Sequence, residues 1–439
     1  MKEYSKHNKT NLFPLLHLFN ITMNVTILNI GDELLIGQVV NTNASVMSQL
    51  LTSAGFRVAR VLTIGDNRED ITAAVSDSLD SCDITLLTGG LGPTKDDITK
   101  TVLCDLFQSE LYENAEALAN IERIFARRNY PLTPLNRQQA WVPRACTMIN
   151  NSLGTAPAMW FERDGRVLVS LPGVPFEMEH LMVHKIVPRL QCHFHTGAIV
   201  TKNILVQGIG ESFLSDLIEP WELQLPQHIS LAYLPQAGVV KLRLTSVGDN
   251  QETLRQEITT QLQGLYALAG KYIVGEDYES LPELAAATLA DKNITLATAE
   301  SCTGGTIASR LTAIAGASQW FKGGVVSYCN EVKHSTLGVK EGTLESYGAV
   351  SEPTAREMAE GVRSRLSADY AIATTGVAGP TGGTDENPVG TVWIGVASSS
   401  STVVFCSHYG SRRQQNIDRA VNEALASLIR IVNNKPLPR

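Results

Sequence analysis

The chain has no cysteine pair in C-x-x-C spacing. Its seven cysteines (Cys82, Cys104, Cys146, Cys192, Cys302, Cys329, Cys406) are scattered over 439 residues. An odd, dispersed set argues against a disulfide framework or a thiolate zinc site and fits a reducing compartment, here read as the cytoplasm. A positive charge excess is also missing. With 36 Lys and Arg against 44 Asp and Glu, the net charge of −8 has the wrong sign for nucleic acid or an anionic membrane as the main partner. No run approaches the roughly 20 apolar residues that span a bilayer. Internal repeats and low-complexity tracts are absent as well. What remains is an ordinary globular composition, long enough for about three domains at roughly 150 residues each.

Residues 1–22 are polar and basic, with a short apolar part broken by Pro14 and His17 and no small-residue cleavage site. They read as a disordered extension rather than a signal peptide. Strand patterns at 25–30, 56–64 and 83–88 alternate with helix patterns at 41–54 and 69–79. This βαβαβ order predicts an α/β domain over 23–195, its parallel sheet covered by helices. Residues 196–275 read as a small α+β module, with strands at 204–207, 230–233 and 239–246 and helices at 211–218 and 251–268. The module has no cluster of reactive side chains, which favours a spacer or dimer contact. Its order also suits single-stranded RNA, but a G-x-x-G loop flanked by basic residues is lacking. Ser280 and Pro282 then mark the start of a third domain, again α/β, over 279–435.

In the first domain, two loops follow strands: Gly31-Asp-Glu-Leu-Leu and Thr88-Gly-Gly-Leu-Gly-Pro-Thr-Lys-Asp-Asp. The carboxyl ends of parallel strands are where open α/β sheets bind ligands. The glycines leave amides free to wrap phosphate, and Asp96 with Asp97 can hold a hard divalent cation. That outfit suits metal-assisted pyrophosphate chemistry on a nucleotide. His180 and His184 stand four apart on a predicted helix, with His193 and His195 close behind. Without a glutamate in H-E-x-x-H position they read as packed or surface histidines rather than a zinc site.

In the last domain, Ser301 stands between a strand pattern (294–299) and a helix beginning after Gly305. A serine needs a base to become nucleophilic, and neither His334 nor His408 is an obvious one. Residues 323–328 end a strand and 329–338 form a helix closed by Gly338, which can bring Tyr328 and Lys333 into one cleft with Ser301. A lysine made neutral by desolvation can serve as the base, and a Ser–Lys pair with tyrosine as proton relay cleaves amides. Amides of Thr303, Gly304 and Gly305 suit either an oxyanion hole or a phosphate cradle. A small-residue loop, 373–383, follows a strand at 370–373, and Arg412 and Arg413 near the last helix can supply a cation to a phosphate.

The first two loops resemble the molybdopterin-binding fold of molybdenum-cofactor adenylyltransferases. Asn136-Arg-Gln-Gln-Ala, Asn151-Ser-Leu-Gly-Thr-Ala-Pro and Leu171-Pro-Gly-Val-Pro-Phe-Glu-Met are similar, more narrowly, to the CinA family. Ala299-Glu-Ser-Cys-Thr-Gly-Gly, Tyr328-x-Asn-Glu-x-Lys, Thr375-Gly-x-Ala-Gly-Pro-x-Gly-Gly and Pro388-Val-Gly-Thr resemble that family's carboxy-terminal domain, itself similar to nicotinamide-nucleotide amidases. The resemblance implies a three-layer molybdopterin-binding-like domain, a small α+β module and an α/β amidase domain, assembled as a homodimer. It implies deamidation of nicotinamide mononucleotide with Ser301 as nucleophile, Lys333 as base and Tyr328 as relay, and no cofactor. Substrate contacts would come from Thr375, Gly376 and Gly379, with Arg413 or Arg412 on the phosphate. For the first domain it implies hydrolysis of ADP-ribose to AMP and ribose 5-phosphate with a divalent metal, Mg2+ or Co2+. Asp32, Glu33, Asp96 and Asp97 would lie near that metal, with Gly31, Gly89, Gly90, Gly92 and Thr94 on the pyrophosphate. Cys329 departs from the family pattern, which often has serine there. The alternatives are pterin binding or adenylylation by the first domain, and a non-enzymatic accessory role in competence or DNA damage.

Overall fold

A computed structural model describes residues 23–94, 97–194 and 198–438. The expected extension 1–22, together with Asp96 and His195, lies outside the described residues. The chain divides into two compact units, one running to Val200 and including Val247–Leu254, the other made of Thr201–Ser246 and the chain from Arg255 onward.

The first unit is built on β1 (Asn24–Ile30), buried at six of its seven positions, flanked by β2 (Arg57–Ile64) and β3 (Ile84–Thr88) in parallel. A short ribbon pairs β4 (Leu111–Glu113) with β5 (Trp141–Pro143). With β6 (Thr147–Ile149), β7 (Ala158–Arg163) and β8 (Arg166–Leu171), the main sheet runs β2-β1-β3-β8-β7-β6. β8 continues the parallel set, as the βαβ order predicts, while β7 and β6 add an antiparallel edge. The antiparallel edge arises at Asp164-Gly165, both at positive φ, the backbone a tight hairpin requires. Successive side chains on β1 serve opposite faces. Val25 and Ile27 pack with Met47, Leu51 and Met178 on one side, and Leu28 and Ile30 with Ile71, Val75 and Val102 on the other.

Apart from the first residues of β9 and the last two of β11, the second unit holds β9 (Ala198–Gln207), β10 (Ile229–Gln236), β11 (Val239–Gly248) and β12 (Ile273–Glu276), which form a sheet of order β10-β11-β9-β12. Strand β12 has no counterpart in the sequence reading. The second sheet, β14-β13-β15-β16-β17, comprises β13 (Leu296–Glu300), β14 (Phe321–Val326), β15 (Tyr370–Gly376), β16 (Thr391–Ala397) and β17 (Thr402–His408). Its first three strands are parallel and its last two antiparallel. One core contains Leu205, Val239 and Val274 of the first sheet together with Leu425, Leu428 and Ile429 of the last helix. Arg430 crosses the same junction, 1% exposed, and donates to the carbonyls of Gln207 and Tyr272. Among the described residues, no helix is long and apolar enough to cross a membrane.

Candidate active site

Ser301 follows directly on β13, and its amide donates to Thr374 O of the neighbouring β15 at 2.9 Å. Ser301 thus sits at the carboxyl end of a parallel strand, fixed by sheet pairing rather than by a free loop. Lys333 lies on the helix Asn330–Leu337, which ends on Gly338 in the left-handed conformation. It is 1% exposed. Its Nζ donates to Ser327 O at 2.7 Å and stands 3.0 Å from Ser301 Oγ. Burial lowers its pKa below the ordinary lysine value. A neutral amine that spends an N–H on Ser327 O keeps its lone pair for the Ser301 proton.

Tyr328 stands elsewhere than the relay assignment requires. It is 61% exposed, its hydroxyl accepts from Arg413 Nη2 at 2.9 Å, and among the described residues no hydrogen bond joins it to Ser301 or Lys333. Arg413 also donates to Gly379 O at 3.0 Å, so Tyr328, Arg413 and the 373–383 loop form one rim. Arg412 is exposed and precedes the helix Arg413–Val432 without such bonds. Arg413→Ala is therefore expected to raise KM for a phosphorylated substrate about 10-fold or more, the scale of one charge-assisted contact. Arg412→Ala should stay within about twofold, and steady-state kinetics on the two variants checks this.

Thr375 and Gly376 belong to β15, not to a loop as the sequence reading expected. The Thr375 hydroxyl donates to Ala349 O at 2.6 Å in a residue 1% exposed, so it ties the fold rather than facing a ligand. A Cβ on Gly376 would come within 2.4 Å of Thr391 O, so the close approach of β16 already accounts for that glycine.

A residue the sequence reading passed over controls the turn. Glu300, 1% exposed, accepts from the amides of Gly305, Ile307 and Ala308 at 3.0, 3.0 and 2.8 Å and from Thr303 Oγ1 at 2.7 Å. These are the unpaired donors at the start of the helix Thr306–Thr312. Gly304 N is spent on Ser301 O. Among the described residues this leaves Cys302 and Thr303 as the turn amides without an acceptor, which removes Gly304 and Gly305 from the expected cradle. An acid three residues before Thr303, beside a nucleophile at a strand-to-helix turn, was the available signal.

Cys302 adjoins Ser301, and its thiol is not poised to react. Burial pushes its thiol up to about 12, so it stays protonated at neutral pH. Iodoacetamide at pH 8 is expected to label exposed Cys192 and Cys329 and leave Cys302 intact, as peptide mass mapping would show.

In the first unit, a cavity of about 400 Å³ is bordered by Gly31, Glu33, Asn43, Asp66, Gly89, Gly90, Gly92 and Asp97. Asn43 anchors it by donating to Gly173 O at 2.8 Å. Among the described residues no group of three or more His, Cys, Asp or Glu side chains converges as a metal site. Asp97 accepts from Gly92 N at 2.8 Å and Thr94 N at 2.9 Å, which holds the glycine turn. Asp32 is tied to the Asp66 loop, its amide donating to Asp66 at 3.0 Å and its carboxylate accepting from Asp66 N.

Three family models match along the chain: "CinA C-terminal domain" over residues 278–432, "Probable molybdopterin binding domain" over 26–192, and "Damage-inducible protein CinA KH domain" over 201–275. The chain is similar to a CinA-like protein of Flavobacterium psychrophilum, 42% identical over 408 residues, 92% of this chain and 97% of that one. It is also similar to a putative competence-damage inducible protein of Halothermothrix orenii, 39% identical over 377 residues, 86% of this chain and 91% of that one. A solved competence/damage inducible protein from Agrobacterium tumefaciens is 40% identical, covering 35% of this chain and 95% of that one, with a TM-score of 0.34.

Proposed function

The chain belongs to the CinA family, and on that premise we propose that its second unit hydrolyses the carboxamide of nicotinamide mononucleotide, giving nicotinate mononucleotide and ammonia. One observation carries the reading: a fully buried lysine amine 3.0 Å from the hydroxyl of a serine at a strand end. Lys333 takes the Ser301 proton as Oγ attacks the carboxamide carbon. The proton then passes to the departing nitrogen, so ammonia leaves and an ester on Ser301 remains. Water, activated by the same amine, cleaves the ester and returns the proton to Ser301. Amides of Cys302 and Thr303 are the turn donors left for the developing oxyanion, while Arg413 and Tyr328 take the substrate phosphate.

For the first unit we propose hydrolysis of ADP-ribose: one water is consumed, the P–O–P bridge breaks, and AMP and ribose 5-phosphate leave. The cavity bordered by Gly89, Gly90 and Gly92 supports this reading by its shape, since the amides of Gly31, Gly89, Gly92 and Thr94 are already given to Ile64 O, Leu171 O and Asp97 rather than left for phosphate as expected. A magnesium-type ion needs only one or two carboxylates when phosphate oxygens and waters complete its shell. Asp97 accepts from Gly92 N, Thr94 N and Thr94 Oγ1 and keeps one lone pair on Oδ1, and with Asp96 it would hold the ion, which neutralises pyrophosphate charge when bound. Both substrates are NAD breakdown products, which gives the fusion a chemical logic. The molybdopterin-binding family match favours pterin adenylylation as the second reading. Ammonia release from nicotinamide mononucleotide tests the first claim, and none from wild type ends it. AMP release from ADP-ribose, set against adenylyl transfer to molybdopterin, decides the second.

A further inference from the structure

The Gly92–Thr94 turn has a cavity on either side. Besides the 400 Å³ cavity there is one of about 270 Å³ bordered by Lys100, Leu135, Gln138 and Trp141, and the two share Gly92 and Asp97. The walls differ in kind. The larger cavity offers the exposed carboxylate of Glu33, a group that accepts from hydroxyls. The smaller one offers large apolar surface left open to solvent: Trp141 is 40% exposed and Leu135 51%.

The backbone of Trp141 is fixed by pairing of β5 with β4, opposite Glu113. Lys100, on the helix Thr99–Leu106, gives one N–H to Gln139 O at 2.9 Å, which leaves its ammonium two further donors. An open indole face, a leucine, a side-chain amide and an ammonium suit a purine base with its 5′-phosphate. They do not suit a bare sugar, whose hydroxyls are better met across the turn.

We propose that the Lys100–Trp141 cavity is the purine seat of the first unit. The nucleotide lies across the turn, with its pyrophosphate over Gly92, adenine stacked on Trp141, Lys100 on the adenosine-side phosphate, and the distal ribose in the larger cavity. The proposal rests on the pyrophosphatase reading of this unit and adds which end of the substrate goes where. AMP is the product released from the Trp141 side.

The test uses the full-length chain with Mg2+ and ADP-ribose, and reads AMP release together with product inhibition. Trp141→Ala is expected to raise KM about 10- to 100-fold, the scale of one lost base-stacking contact, and to weaken inhibition by AMP in parallel. Inhibition by ribose 5-phosphate should be unchanged, and Trp141→Phe, which keeps a ring, should recover most of the loss. Lys100→Met should weaken AMP more than adenosine. If Trp141→Ala leaves KM and AMP inhibition as in wild type, the purine seat is wrong and the pyrophosphatase reading stands. If that variant loses ribose 5-phosphate inhibition instead, the orientation is reversed and the proposal fails. Should wild type release no AMP, the reading of the unit and the seat fall together.

Discussion

Lys333→Met is expected to lower ammonia release from nicotinamide mononucleotide by about 10³-fold, the range for a lost general base, without lowering the melting temperature at neutral pH. Both halves follow from one placement. The amine is buried at 1% exposure, and burial depresses its pKa. Catalysis uses the neutral form, so the wild-type rate should climb as pH rises through the lowered pKa and level above it. Lys333→Met should lose that limb, and Ser301→Ala should be as inactive without any change in Lys333. Stability runs by the same linkage. Between the folded pKa and the ordinary value of 10.5 the unfolded chain binds a proton that the folded chain does not. Stability therefore rises with pH across that window. Below the window both states carry the proton, and the folded state bears the whole cost of a buried charge. Thermal melts of the two proteins should differ most at low pH, in favour of methionine, and converge toward pH 10. A wild-type advantage that grows as pH falls would refute the neutral-amine assignment.

The parallel strands of both units were legible because their signal is local: apolar, β-branched runs ended by glycine turns. Ser301 and Lys333, 32 residues apart, could be paired in the reading because one follows β13 and the other lies on the helix after β14, and the carboxyl ends of neighbouring parallel strands lie side by side. What escaped the reading depends on partners distant in sequence. Thr375 was assigned to the substrate by the family resemblance, and its glycine-rich neighbours read as a loop, yet antiparallel pairing with β16 extends β15 through Gly376. Tyr328 is paired with Arg413, 85 residues away, a partner that spacing near Tyr328 cannot reveal. The edge hairpin is different. Asp164-Gly165 between two apolar runs was a readable turn signal, passed over because the βα alternation before it led one to expect another parallel strand.

Glu300→Ala is expected to destabilise the second unit by roughly 3 kcal/mol, since one carboxylate satisfies three amides and a hydroxyl and such charge-assisted bonds contribute about 1.5–3 kcal/mol each, without strict additivity. Differential scanning calorimetry would read the loss. The consequence for function goes further, because the amides that Glu300 holds begin the helix leading away from the nucleophile. A helix start of this kind ordinarily attracts an anion. Here the protein supplies the anion itself, so a substrate phosphate brought to that end would meet a carboxylate. On the proposed function the phosphate is thereby directed to the Arg413 rim, and the turn is left to position Ser301 and the Cys302 and Thr303 amides. Glu300→Gln keeps the shape but turns an NH2 toward at least one of the amide donors. It should lower kcat by about 10²-fold, as expected for a displaced reacting group, with KM nearly unchanged because the phosphate contact is elsewhere. Formate added to Glu300→Ala should restore part of kcat by refilling the carboxylate position, an effect that a merely unfolded variant cannot show. If Glu300→Gln instead raises KM and spares kcat, the turn binds phosphate after all, and Arg413 loses its assignment.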